Sequence, residues 1–386
     1  MKPDRQRPIS TLLRDYDTCF AEFLRPSGNG QKILQAILLR AAFRRFAERQ
    51  VAIRQDAATA ILDVSCGPGD FSLAWTSDIA EFLPRGMIFY CTDQASGVSR
   101  ATGETYTTAT ANKIRAAARR GHLVLAEPPI AIDADLFSGG DRLMPEGRCA
   151  DIIHWSHSGY HVRDALGDKR DDPVAIETAM DFAIEKMWAA LDVGGLMLSV
   201  HQTRDTADGI PSQMLPVARD YCGVLDNVPA LIEDRVRRLG GAVATVNFAS
   251  PLYFARSDEA DWAALKRPAQ WPLLGPAALR NLLLLNFIAY DFGDPGKAAL
   301  EKLAENGSLG RYIDAFHSIV AQNQGFIVVK CAFQMIGKSK AVVSALDDVA
   351  GELRRDMPEF RRQMLRAMES ARGAIPDAAS PGAPVD

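Results

Sequence analysis

The sequence predicts an α/β fold built on a mostly parallel sheet, and three stretches carry that reading. The first, Ile61–Leu73 (ILDVSCGPGDFSL), is an apolar run closed by an acid, then a small-residue turn, then helix-compatible sequence. A strand hands its chain to a helix in this way across a nucleotide-type site. The second, Met87–Thr92, is another buried-looking strand and ends at Asp93. The third is a late unit: a helix over Pro173–Leu191, a turn at Val193-Gly194-Gly195, and a strand over Leu196–His201.

At the first turn, Gly67 and Gly69 let the backbone pass close to a ligand, where a Cβ would collide. Asp93, at the tip of the neighbouring strand, is placed to accept hydrogen bonds from two ribose hydroxyls. A dinucleotide site shares this outline but needs three glycines as GxGxxG. Here the turn reads Ser65-Cys66-Gly67-Pro68-Gly69-Asp70, with an acid beginning the helix. That acid repels a pyrophosphate, whereas a sulfonium cofactor is positive and carries no phosphate. The pattern resembles the first motif of class I S-adenosylmethionine-dependent methyltransferases, D/E-x-G-x-G-x-G. The resemblance implies S-adenosyl-L-methionine as cofactor, S-adenosyl-L-homocysteine as product, and a Rossmann-like sheet of seven strands with an antiparallel last strand. It places Asp63, Ser65, Cys66, Gly67, Gly69, Asp93, Gln94 and Ser156 around the cofactor. Ser65 stands where the motif has its first glycine, so φ there is expected below zero. The plain alternative is a strand-turn-helix with no ligand.

Composition bounds the rest. A chain of 386 residues is long enough for one large domain with insertions or for two domains. Apolar content of 47% with 24% charge is that of a soluble globular protein. A net charge of −4 argues against a grip on nucleic-acid phosphates. No apolar run reaches membrane-spanning length, and the start, MKPDRQRPIS, lacks a signal-peptide core. The six cysteines are scattered without a CxxC pair, which suits a reduced compartment. The expected location is cytoplasmic, the expected partner a small molecule.

Taken in order, residues 1–9 read as loose. Ser10–Leu24 reads as a helix capped by Ser10, with Tyr16, Phe20, Phe23 and Leu24 on one stripe. RPSGNG breaks it, and Gln31–Gln50 is a second helix. This pair is either plain core or a lid across the substrate mouth, and residues 1–50 are assigned as a helical lid. After Asp93 come a helix over Thr107–Arg120 and an extended run from His122 to Ile132. In the segment AIDADL, Asp135 is the candidate for the adenine amino group, with Asp133 in reserve. Glu127-Pro128-Pro129-Ile130 lacks the aromatic residue that stacks a flipped base, so a nucleic-acid methylation motif is rejected. The fourth strand is Asp151–Trp155. A helix over Pro229–Leu239, a sixth strand over Ala242–Ala249 and a helical insertion over about 250–308 follow. Arg311–Ala321 is a helix, and Gly325–Phe333 is the last strand, expected between the fifth and sixth. The methyltransferase domain is thus 51–337, and 338–386 a C-terminal amphipathic helix with a disordered tail from Ala374.

Three further stretches, YDTCFAEFLRPSGNGQ, HWSHSGYHVRD and FIVVK, together resemble the histamine N-methyltransferase family over about residues 10–335. The resemblance implies transfer to a nitrogen of a small aromatic or heteroaromatic molecule held in an aromatic pocket. Position by position, Tyr16, Phe20 and Phe23 fall on pocket aromatics of the lid, and Tyr160 on another after the fourth strand. His161 stands where the family has tyrosine, and His157 replaces a glutamine that contacts the imidazole. Gln322 falls on a substrate-binding asparagine, with Asn323 one residue away. Asn29 stands where the family has the glutamate that holds histamine's cationic amine. An amide cannot supply that ion pair, and losing a partly buried charge partner typically costs a few kcal/mol. Histamine itself is therefore not the expected substrate. The indole-bearing segment that follows the fifth strand in the family is not recognisable here.

Methyl transfer from a sulfonium is an in-line displacement whose leaving group is already activated. The protein mainly aligns a lone pair and excludes water. A nitrogen acceptor must lose its proton first, and His157 is the candidate catalytic base, or else a hydrogen-bonding wall for the acceptor ring. His154, His157 and His161 have the spacing of helical zinc ligands. The segment begins as a strand and contains Ser-Gly, so no metal is expected and His154 is placed in the packing layer. Beside N-methylation stand an O-methyltransferase of specialised metabolism, a non-catalytic S-adenosylmethionine-binding protein, and a metal-dependent hydrolase.

Overall fold

The computed structural model describes residues 8–98, 102–205, 209–222, 224–289 and 297–373, without the side chains of Tyr160 and Asp164. Three helices open the chain: α1 (Ile9–Leu13), α2 (Tyr16–Phe23) and α3 (Gly30–Glu48). The single helix expected over Ser10–Leu24 is broken at Arg14–Asp15, and Pro8, not Ser10, is the N-cap. Asn286, from far along the chain, donates to the Leu13 carbonyl at 2.7 Å, so a tertiary bond satisfies the broken helix end.

The α/β body follows as β1 (Thr59–Val64), α4 (Asp70–Ile79), β2 (Met87–Asp93), α5 (Tyr106–Arg119), β3 (Ile130–Asp133) and β4 (Ala150–Ser156). Next come α6 (Val162–Ala165), α7 (Pro173–Ala190), β5 (Leu191–Gln202), α8 (Met214–Cys222), α9 (Val228–Arg238) and β6 (Ala242–Tyr253). The chain ends with α10 (Glu259–Leu265), α11 (Pro276–Ile288), α12 (Ala299–Glu305), α13 (Leu309–Gln322), β7 (Phe326–Gly337) and α14 (Lys340–Gly373). The run expected from His122 contracts to β3, β6 extends past Ala249 to Tyr253, and α8 was not read in the sequence.

The seven strands form one sheet in the order β3-β2-β1-β4-β5-β7-β6, with β7 antiparallel to both neighbours. This is the Rossmann-like sheet of the class I methyltransferase fold. Strand order reverses between β1 and β4, which opens a crevice beyond their carboxyl ends. The register sets Asp63 of β1 beside His154 of β4, and Asp93 of β2 beside Asp133 of β3.

Apolar layers cover both faces of the sheet. One contains Leu38, Phe43, Trp75, Ile114 and Phe333, the other Leu62, Ile153, Met180, Ile184 and Ile232. α14 belongs to the first layer. Val342, Leu346, Val349, Leu353, Met357, Phe360 and Met364 recur at helical spacing and are buried. Arg45 of α3 and Arg49, its C-cap, pair with Glu352 at 3.0 and 2.6 Å. The segment after Gly337 therefore braces α3 from behind, and the tail from residue 374 lies outside the described residues. The insertion is also closer to the site than expected: α11 packs on α2, and Arg280 Nε meets Glu22 at 2.9 Å. It roofs the crevice as well as flanking the sheet. No helix among the described residues is long and apolar enough to cross a membrane.

Candidate active site

One cavity lies over the carboxyl ends of β1, β2 and β4 and continues beneath α2 and α11. Its floor at one end is the turn from Ser65 to Gly69. Cys66 N donates to the Thr92 carbonyl at 3.0 Å, and Gly67 N to Asp93 Oδ2 at 2.8 Å. These bonds hold the turn against β2 and require left-handed backbone: φ is +57° at Ser65, +56° at Gly67 and +85° at Gly69. The negative φ expected at Ser65 is thus corrected. The serine adopts the left-handed conformation all the same, at a cost to a side chain of roughly 1–2 kcal/mol.

The two glycines serve different ends. A Cβ on Gly67 would meet no protein atom and would project into open space at the cavity. A Cβ on Gly69 would fall 2.4 Å from Thr110 Oγ1 and 2.7 Å from Thr110 Cα. Gly69 therefore serves the close approach of α5, a packing role that the ligand-contact reading missed. Asp70 opens α4 and is paired with Lys113 at 2.6 Å, so its charge is partly answered.

Asp93 accepts from Gly67 N and, through Oδ1, from Gln94 N at 2.9 Å, leaving lone pairs for a ligand's hydroxyls. Burial raises its pKa to about 6, against the two backbone donors that favour the carboxylate. Asp135 lines the cavity with Leu136 and Phe137, and its Oδ1 accepts from Phe137 N at 2.9 Å. The reserve candidate Asp133 is taken by Thr107 Oγ1 at 2.5 Å and does not line the cavity. Asp63 Oδ1 is bonded to His154 Nδ1 at 2.7 Å, and both are buried. His154 packs on Trp75 and Phe71 of α4, as expected of a residue in the packing layer. Four carboxylates thus line this end, and Lys32 is the one lysine or arginine on the described wall. An adenosyl sulfonium fits that donor set: acceptors for a ribose and an adenine amine, apolar side chains beside the base, and no anion-binding cluster. When bound, such a group would supply an activated methyl.

The opposite end is aromatic. Tyr16 stacks on Phe20 at 5.3 Å, Phe20 on Phe287 at 5.4 Å, and Phe23 on Phe287 at 4.6 Å between ring centroids. Tyr106 Oη of α5 donates to Asp17 Oδ1 of α2 at 2.9 Å and so ties α2 to the sheet body. Ser156, His157 and His161 line the wall after β4, and Ser156 Oγ accepts from Gln35 at 2.9 Å. His157 has φ +57°, and its Nε2 lies 2.9 Å from Gln31 Nε2 and 3.1 Å from Gln35 Oε1. Burial first, then Lys32, His201 and His154, hold its pKa well below the ordinary value. Burial thus favours the neutral form of the ring, which weakens it as a proton acceptor. Behind it, His201 is pushed down to about 3 by burial and accepts from Gly159 N through Nε2 at 3.1 Å.

Two substrate assignments are displaced. Asn29 is buried and spent as the N-cap of α3: Nδ2 donates to the Phe23 carbonyl at 2.7 Å and Oδ1 accepts from Gln31 N at 2.9 Å. Gln322 is exposed on α13 and bonded to Ser318, while Asn323 donates to Gln213; neither lines the cavity. The Tyr160 side chain lies outside the described residues. Conversely, Lys32 and Phe287 line the cavity and were not singled out. Gln31 and Gln35, buried on the apolar face of α3 beside Leu34 and Leu38, carry a readable signal that this face meets a site. Phe287 carries none, because its run, LLLLNFI, reads as core.

Among the described residues no group of three His, Cys, Asp or Glu side chains is arranged to hold a metal ion. No model of a protein family matches the chain, and no curated protein matches it in sequence. Solved structures similar to it include an S-adenosylmethionine-dependent methyltransferase from Thiobacillus denitrificans in complex with S-adenosyl-L-homocysteine. That likeness has 14% identity over 85% of this chain and 98% of the other, with TM-score 0.38. A methyltransferase from Geobacter sulfurreducens in the same kind of complex is 16% identical over 76% of this chain and 89% of that one, TM-score 0.35. An O-methyltransferase family protein from Burkholderia thailandensis is 16% identical over 49% of this chain, which spans 47% of that protein's length, TM-score 0.32. None of these likenesses points to the histamine N-methyltransferase family in particular.

Proposed function

We propose that this chain is an S-adenosylmethionine-dependent methyltransferase acting on a small molecule with a flat aromatic or heteroaromatic ring. One observation carries the reading: a single cavity joins the Ser65–Gly69 turn and Asp93 to the wall of Tyr16, Phe20, Phe23 and Phe287. The chain's own contribution is to stack the acceptor ring, keep water out beneath α2 and α11, and aim the acceptor atom along the crevice. His157, its ring held by Gln31 and Gln35, is a neutral wall for the acceptor ring.

Transfer to nitrogen is what the family resemblance implies. Acceptance of a cationic amine such as histamine is disfavoured, since Asn29 is spent as a cap and Asp63 is engaged by His154. A specific observation favours the second reading, transfer to oxygen: among the described lining residues the one lysine or arginine is Lys32, whose Nζ lies 4.5 Å from the centroid of the Phe71 ring. The test is incubation with S-adenosylmethionine and matched ring amines and ring hydroxyls, read by mass spectrometry. A methyl-sized mass gain on a ring compound, with histamine left unmodified, is expected. Cofactor binding with no product on either series would instead support a non-catalytic binding protein.

A further inference from the structure

We propose that Lys32 receives the acceptor, its Nζ binding and deprotonating a ring-borne hydroxyl, so that acidic phenols and enols form the substrate class. This rests on the methyltransferase reading above.

Lys32 lies on the first turn of α3, three residues beyond the spent Asn29. Its Nζ sits 4.5 Å from the centroid of the Phe71 ring and 3.4 Å from Gln35 Oε1. No carboxylate among the described residues forms an ion pair with it. The charged and titratable groups facing it are Asp63 from β1, His157 after β4, His201 from β5 and Cys331 from β7. Asp63 is bonded to His154, the two other histidines are held neutral, and burial raises the Cys331 thiol to about 12. The cavity wall therefore carries a cation beside the Phe71 ring, and the carboxylate that acts on it, Asp63, is bonded to His154 and not to it. A ligand ammonium beside Lys32 would meet like charge, whereas an oxyanion would pair with it.

The proton balance agrees with the geometry. Burial lowers Lys32 to about 8, against Cys331 and Asp63, so a fraction of the side chain is free amine near neutral pH. In the step proposed, the hydroxyl proton passes to Nζ and the oxygen's electron pair forms the new O–CH₃ bond. The C–S bond breaks with its pair returning to sulfur, and Nζ later gives its proton to water.

The test uses the full chain saturated with S-adenosyl-L-homocysteine and two chromogenic phenols, 4-nitrophenol and 7-hydroxycoumarin, titrated with pH by absorbance. Wild type is expected to lower the ionisation midpoint of at least one bound phenol by about one unit or more. Lys32→Met should abolish that shift while binding S-adenosyl-L-homocysteine as wild type does. Lys32→Arg, cationic but unable to take the proton, should keep the shift and methylate these phenols once ionised, yet lower transfer about 100-fold to a phenol still protonated at the assay pH. No perturbation of either phenol by wild type, or an equal one in Lys32→Met, would overturn the proposal while leaving the methyltransferase reading intact. Failure of wild type to bind S-adenosyl-L-homocysteine would overturn both.

Discussion

The cofactor end of the cavity comes chiefly from one strand-turn-helix and the tip of the next strand, within residues 63–94, and its contacts are largely backbone. The rest of the cavity takes Lys32 from α3, His157 from beyond β4 and Phe287 from α11, and it is lined by side chains. A backbone-built site needs particular φ values and small residues at fixed places, which leave a mark on a short stretch. A site assembled from side chains on separate helices needs only bulk and polarity at each position, and these resemble core. The first kind is held by few residues of large individual effect, the second by many of smaller effect.

The sharpest test of that contrast is Asp93→Ala. Removing a carboxylate that organises the turn and, on the proposed reading, accepts from the ligand should weaken S-adenosyl-L-homocysteine binding by about 100-fold or more, measured by calorimetry. Equal affinity would move the ribose site elsewhere. Next comes the pair Gly69→Ala and Gly67→Ala, both at positive φ. The first also drives a Cβ into Thr110 and should cost about 2–4 kcal/mol in denaturant unfolding. The second should cost only about 1 kcal/mol of stability and chiefly reduce ligand affinity. Reversal of that order would mean that Gly69, not Gly67, faces the ligand.

Phe287→Ala should leave S-adenosyl-L-homocysteine affinity unchanged and weaken acceptor binding, with a stability loss of about 1–3 kcal/mol from the opened aromatic cluster. A loss of cofactor affinity would erase the division between the two ends. Asp93 also gives a pH signature. Its folded pKa is raised, so its contribution to stability is fully present below the unfolded value and lost as pH rises through about 6. Asp93→Asn should therefore raise the melting temperature of the ligand-free protein modestly at pH 8 but not at pH 4. Wild-type affinity for S-adenosyl-L-homocysteine should fall below about pH 6, as the acceptor is protonated. The smallest effect is expected at Gln322→Ala, within about 0.5 kcal/mol and without consequence for turnover, because that side chain is exposed and distant from the cavity.

The same division sets what could be read in advance. The sheet, its antiparallel last strand and the positions of Asp93 and the Ser65–Gly69 turn follow from apolar runs and small-residue punctuation, which act locally. The φ of Ser65 was misjudged because propensity was weighed without the bonds that Thr92 and Asp93 impose on the turn. Asn29 was misread because a polar residue ahead of a helix serves as cap or ligand contact with equal ease until the Phe23 carbonyl is seen beside it. Gln322 is legible only as a polar helix end, because its exposure and its absence from the cavity wall are matters of three-dimensional path and not of spacing. Helix α14 was legible as amphipathic, yet its partner, the back of α3, was not.

The most direct measurement is a calorimetric titration of the wild-type protein with S-adenosyl-L-homocysteine at neutral pH. The account predicts saturable binding of one molecule per chain. A flat trace, with the methyl donor giving none either, would contradict it at its base.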